Sequence, residues 1–215
     1  MKRKLTVIAV AGVATLVFLV SAVLYRNYQE AAQSGAAVAS RNLERPHSPR
    51  TGPDDAKVTI VEFLDPACEA CRAFYPIVKG ILAKDPKDVR LVIRYAPFHE
   101  GSHDVARMLE AAKLQGRFWP VLEALFAAQP SWASHGQPNL ENAWRAARSA
   151  GLEIVKARSD MNTPEIRAIV DQDVADLREF GVEKTPTFFV NGKPLPSFGS
   201  DQLLALVQQE LKARQ

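Results

Sequence analysis

The alternation of apolar and polar positions divides the chain into three regimes. Leu5 to Tyr25 is an uncharged, mostly apolar run bounded by Lys2-Arg3-Lys4 and Arg26. About 20 residues at 1.5 Å each span the hydrocarbon core of a bilayer. Val58-Thr-Ile-Val-Glu-Phe-Leu64 and Val89-Arg-Leu-Val-Ile-Arg-Tyr95 are β-branched and largely apolar, as strands buried on both faces are. Between them a helical period runs from about Cys68 to Lys84, with Pro76 expected to kink it, and strand, helix and strand in this order predict a parallel pair joined by a crossover.

From Ser102 to Phe180 the period stays helical. Val105, Met108, Leu109 and Ala112 mark one apolar face, and Phe118, Val121, Leu122 and Leu125 mark the next. Gln129 to Pro138 reads as a loop, with Trp132 in it as a candidate exposed partner contact. Asn139 and Thr163-Pro164-Glu165 have the chemistry of helix starts. Thr187 to Val190 then predicts a strand, Asn191-Gly192 a tight turn, Lys193 to Pro196 a return strand, and Leu203, Leu204, Val207 and Leu211 a last helix capped by Ser200 or Asp201. The expected order is βαβ, a helical insertion over about 100–180, then ββα, an α/β fold.

The chain has 215 residues and a formal net charge of +3, too small and too dispersed for a nucleic-acid partner. The basic residues before the apolar run orient it with the N-terminus in the cytoplasm and the rest outside. Residues 1–25 are therefore expected to be a signal-anchor, with Ala37-Val38-Ala39 as the competing cleavage site. Residues 26–53, rich in Ala, Ser, Gln, Arg and Pro, read as a flexible tether, and 54–215 as the folded domain. Either outcome places that domain outside the cytoplasm.

That placement bears on the two cysteines, Cys68 and Cys71. Zinc needs two further ligands, but there is no third cysteine and His47, His99, His103 and His135 lack paired spacing. A structural disulfide closing so short a loop would remove little chain entropy. At a helix N-terminus, free N–H groups and the helix dipole favour the thiolate of Cys68, the form that attacks disulfides, while Cys71 lies one turn deeper. The spacing therefore points to redox chemistry.

Glu62-Phe-Leu-Asp-Pro-Ala-Cys68-Glu-Ala-Cys71, Asp-Met-Asn-Thr-Pro-Glu-Ile in the insertion and Thr185-Pro186-Thr-Phe-Phe-Val-Asn-Gly together resemble the thioredoxin superfamily, in its DsbA-like branch. The resemblance covers about Asp54 to the C-terminus and implies a thioredoxin fold with an inserted all-helical subdomain. It implies that Cys68 is the nucleophile and Cys71 its resolving partner. Glu62 matches the buried acid beneath the disulfide, able to exchange a proton with Cys71. Pro186 matches the cis-proline facing the disulfide, and Thr185 would present its backbone to an extended substrate and its hydroxyl to the sulfurs. Strongly oxidising relatives carry Pro-His between the cysteines, whereas this chain has Glu69-Ala70. A carboxylate beside Cys68 opposes thiol ionisation and is expected to make the disulfide less oxidising, unless Glu69 points to water.

The implied activity is thiol-disulfide exchange on exported cysteine-containing proteins, with a membrane redox partner and no metal or organic cofactor. The expected location is the bacterial inner membrane, with the domain facing the periplasm or cell exterior. Two rivals remain: a disulfide reductase, for instance of apocytochrome cysteines, and a non-catalytic holdase for extended chains.

Overall fold

The computed structural model describes residues 42–134 and 136–214, with the isolated positions 21, 25 and 26. Most of the expected anchor run and of the expected tether lies outside the described residues. Among the described residues no helix is long and apolar enough to cross a membrane.

The domain from Glu44 onward is built on a five-stranded sheet ordered β1-β3-β2-β4-β5. The strands are β1 (Arg50–Thr51), β2 (Val58–Leu64), β3 (Val89–Tyr95), β4 (Thr187–Val190) and β5 (Lys193–Pro194). β2 and β3 are parallel, as a crossover requires, and the other pairs are antiparallel. Helix α1 (Glu69–Lys84) makes that crossover and continues through Pro76.

Between β3 and β4 the chain is helical: α2 (Ser102–Leu114), α3 (Phe118–Trp132), α4 (Leu140–Ser149), α5 (Ile154–Asp160) and α6 (Pro164–Glu179). Helix α7 (Ser200–Lys212) closes the domain. Asn139 Oδ1 accepts the Asn142 N–H at 3.2 Å, and Thr163 Oγ1 accepts that of Ile166 at 3.4 Å, so both predicted caps form. The last helix differs, because Gly199 occupies its cap position without a side-chain bond. At the β4–β5 turn Asn191 and Gly192 both adopt positive φ, 48° and 81°, the conformation of a two-residue hairpin.

The two faces of the sheet are covered differently. Val58, Ile60 and Leu64 with Leu91 and Ile93 join the main core beneath α1 and α7, which contribute Phe74, Tyr75, Val78, Leu203 and Val207. On the other face Phe63 packs against Phe180 and Phe189, with ring centroids 5.9 and 6.0 Å apart. There a buried Arg94 donates to Asp173 at 2.8 Å and to Asp176, tying β3 to α6. Two carboxylates around one guanidinium satisfy charges that would be costly to bury singly.

The fold begins earlier than the expected Asp54. Arg45 forms a forked pair with Asp176, at 2.8 Å on each oxygen, and His47 Nε2 lies 2.8 Å from Asp173. β1 then pairs with β3. Residues 44–53 are thus held in the domain by ionic contacts and a short strand rather than by apolar periodicity, which is why composition reads them as linker.

Trp132 also corrects an expectation. Helix α3 extends to it through Pro130, its side chain is fully buried, and its indole N–H donates to the Leu125 carbonyl at 2.8 Å. Satisfying that donor locally leaves Trp132 free to pack in the core, so it is not a surface contact.

Candidate active site

β2 delivers Glu62 and Asp65, the start of α1 delivers the cysteines, and the loop before β4 delivers Thr185 and Pro186. Cys68 is the N-cap residue of α1, with extended backbone at φ −74° and ψ 122°. Its side chain faces the unpaired N–H groups of the first turn. Both cysteines are free thiols here, Cys68 6% exposed and Cys71 0%. Cys68 is thus less open than the sequence suggests.

The two thiols are driven apart in acidity. Cys68 is lowered to about 5, first by a hydrogen bond from the Cys71 side chain, then by the Thr185 side chain and the backbone N–H groups of Cys71 and Ala70, against the opposing effect of burial. Cys71 is pushed far up, first by burial, then by the same bond to Cys68 and by the charges of Glu62 and Cys68. Donors that converge on one sulfur stabilise its anion and leave the proton on the other.

Thr185 and Pro186 are joined by a cis peptide bond. The Thr185 carbonyl accepts the Cys68 thiol at 3.3 Å, across 117 residues of sequence. Beside this loop, Pro186, Phe188, Leu195, Pro196 and Phe198 line a cavity of about 220 Å³, and Phe198 is 50% exposed above Phe74.

Glu62 lies opposite Ile93 on one side and Phe188 on the other. It is 0% exposed and neither oxygen has a hydrogen-bond partner. Burial, followed by the Cys68 charge, raises its carboxyl to about 8. Its charge also acts on Cys71, helping to keep that thiol protonated.

Of the two expectations for Glu69, exposure to water is the one found. Its side chain is exposed, whereas the leading influences on the Cys68 thiol are Cys71, burial, Thr185 and two backbone N–H groups. A helix-start side chain turned to water is screened, whereas the N–H groups of the same turn cannot turn away. Ala70 contributes through its backbone alone, which any residue there would supply.

Two supporting residues escaped the sequence reading. Asp65 is buried and accepts the N–H groups of Ala67 at 2.9 Å, Phe98 at 2.7 Å and His99 at 2.9 Å, the Ser102 hydroxyl, and His99 Nδ1 at 2.7 Å. Its own N–H points at Cys71 Sγ, 3.5 Å away. Asp65 thereby ties the strand end, the cysteine loop and the start of α2 together. Gln129 of α3 donates to the carbonyls of Pro66 and Cys68 at 2.9 and 3.0 Å, holding the loop from the helical layer. A polar residue within an apolar helical face was the available signal for Gln129, and the Asp-Pro step before Cys68 for Asp65.

Residues 44–209 match the family model described as Thioredoxin. The chain belongs to the thioredoxin family. Within that family its cysteine pair, Thr-Pro loop and helical insertion give it a DsbA-like organisation. A thioredoxin-like oxidoreductase from Silicibacter pomeroyi DSS-3 is similar at 34% identity and a TM-score of 0.68, covering 78% of this thioredoxin-family chain and 94% of that one. BdbD from Bacillus subtilis is similar at 27% identity and 0.69, covering 77% and 94%. Among sequences, the Na(+)/H(+) antiporter NhaA of Herminiimonas arsenicoxydans is 33% identical over 157 residues, 71% of this chain and 24% of the antiporter. The chain spans about a quarter of the length of the curated relatives it matches. Among the described residues no group of three or more His, Cys, Asp or Glu stands together to hold a metal ion.

Proposed function

We propose that the chain is an extracytoplasmic thiol-disulfide oxidoreductase that forms or exchanges disulfides in exported proteins through Cys68 and Cys71. The observation that carries this reading is the split acidity of the pair, with donors gathered on Cys68 and the proton kept on Cys71. In the oxidising direction a substrate thiolate attacks Cys68 Sγ of the disulfide, and Cys71 leaves and takes a proton from Glu62. A second substrate thiolate then attacks its own sulfur in the mixed disulfide and expels Cys68 as a stabilised thiolate. Two electrons pass from the substrate dithiol to the protein, and reversal of the same steps is reduction.

Thr185 is proposed to bind the substrate main chain at the loop edge, a short strand addition that leaves the reacting sulfur facing Cys68. Glu62 serves as proton carrier and Glu69 as a weak tuning group. The domain is further proposed to be held at the bacterial inner membrane by residues 1–25, facing the periplasm, where a membrane partner resets its redox state.

A thiolate this stabilised is a good leaving group and favours the reduced protein, so the direction is donation of disulfides. Equilibration of the full-length protein with glutathione tests it. A potential closer to the strong oxidant limit of about −120 mV than to the roughly −270 mV of thioredoxin is expected. A thioredoxin-like value would support the reductase reading, for which Glu69 after the first cysteine speaks. Cys68→Ser separates both from a holdase, since aggregation protection without redox turnover would survive it.

A further inference from the structure

In the exchange proposed above Cys71 leaves as a thiolate, yet its side chain is fully buried. A buried anion without a donor is costly. Burial, the Cys68 side chain and the charges of Glu62 and Cys68 all oppose ionisation of Cys71, and among the leading influences the Asp65 backbone N–H alone favours it. That N–H points at Cys71 Sγ, with the nitrogen 3.5 Å from the sulfur. Its aim follows from the strand. Leu64 is the last residue of β2 and its carbonyl accepts the Ala96 N–H at 2.9 Å, so the Asp65 N–H on the opposite side of the same peptide unit faces away from β3. The ladder to β4 ends at the Phe63–Thr187 pair, which leaves the Asp65 N–H beyond it to meet the sulfur.

We propose that the Asp65 carboxylate holds its own backbone N–H on Cys71 Sγ, making a one-donor anion hole for the leaving thiolate. The inference rests on the thiol-disulfide reading above and adds what stabilises its departing sulfur. The carboxylate is buried, and its two oxygens serve different segments. Oδ1 accepts the Ala67 N–H of the cysteine loop and the Ser102 hydroxyl of α2, while Oδ2 accepts the Phe98 and His99 N–H groups and bonds His99 Nδ1. The Asp65 carbonyl accepts the Cys68 N–H at 3.1 Å. Held through its side chain and on both flanking peptide units, the residue cannot swing its N–H off the sulfur without giving up several of these bonds. When a substrate thiolate attacks Cys68 Sγ, the substrate–Cys68 bond forms, the Cys68–Cys71 bond breaks, and its electron pair stays on Cys71. The developing charge meets an N–H already in place, so no reorganisation is needed at the transition state. The carboxylate itself touches no reacting atom and acts by positioning the N–H.

The test measures, by stopped flow on the full-length protein, opening of the Cys68–Cys71 disulfide by glutathione and its reclosure from the Cys68–glutathione mixed disulfide. Asp65→Asn sets an amide NH2 against donors at whichever oxygen it replaces. It is expected to slow opening and reclosure by the same factor, roughly tenfold or more, because one transition state serves both. The equilibrium between the two states is expected to stay unchanged, since Cys71 is a neutral thiol in the mixed disulfide. Ser102→Ala removes one donor to the carboxylate without altering charge or the cysteines, and is expected to slow both steps by a smaller common factor; it decides the matter if Asp65→Asn does not fold. Wild-type rates in every variant that folds would overturn the assignment. Slowing in one direction alone would overturn it too, because that moves the equilibrium and not the shared barrier. If glutathione never opens the wild-type disulfide, the exchange reading falls and this inference with it.

Discussion

The Thr185 carbonyl lies 3.3 Å from Cys68 Sγ and accepts its hydrogen in the thiol form, so the sulfur stands between two segments 117 residues apart. The helix start supplies the donors that stabilise its anion, and the Thr-Pro loop supplies the surface on which a substrate chain would lie. Neither segment forms the site alone.

Alkylation of the reduced protein should follow a single titration with a midpoint near 5, belonging to Cys68, while Cys71 stays unreactive through neutral pH. The Cys71 side chain is the largest cause of that depression, so Cys71→Ala should raise the midpoint and trap mixed disulfides at Cys68. Trapping by Cys68→Ala instead would reverse the roles.

Glu62→Leu should stabilise the protein, increasingly so with pH. The folded carboxyl is raised to about 8 from an ordinary 4.5, so wild-type stability from this group is intact below about 4.5 and is lost as pH rises through 8. The gap between variant and wild type should widen over that window by on the order of 4 to 5 kcal/mol. Urea denaturation at a series of pH values measures it, and parallel curves would contradict the burial argument. Redox turnover should slow in the same variant.

Glu69→His should make the protein more oxidising, but by less than about 30 mV, the equivalent of a tenfold change for two electrons. The direction follows from removing an anion near the thiolate, and the small size from exposure of the side chain to water. A larger rise in the glutathione equilibrium would show that Glu69 turns inward in one redox state.

Arg94→Met should destabilise the domain by about 3 to 5 kcal/mol, because Asp173 and Asp176 would remain buried without their shared guanidinium. Denaturation midpoints test this. A neutral result would mean that Arg45 and His47 suffice to hold both carboxylates.

If residues 5–24 span the bilayer, the protein should stay with membranes through alkaline carbonate washing, with the cysteines reactive from outside. N-terminal sequencing that begins near Ser40, with the protein in the soluble extracytoplasmic fraction, would establish a cleaved signal in place of the anchor.

The sequence by itself determined the elements whose cues are local. Apolar periodicity located β2, β3 and the helical layer, cap chemistry located the starts of α4 and α6, and the CxxC and Thr-Pro motifs marked the reactive segments. Tertiary structure decided what depends on partners distant in sequence. Residues 44–53 join the domain because Asp173 and Asp176 wait for Arg45 and His47, some 126 to 131 residues away. Trp132 is buried because the Leu125 carbonyl, seven residues back, satisfies its N–H, and Glu69 is exposed to water at the helix start. Periodicity reports which face of an element is dry, whereas an ion pair or a buried hydrogen bond is visible only once the chain has brought both of its members together.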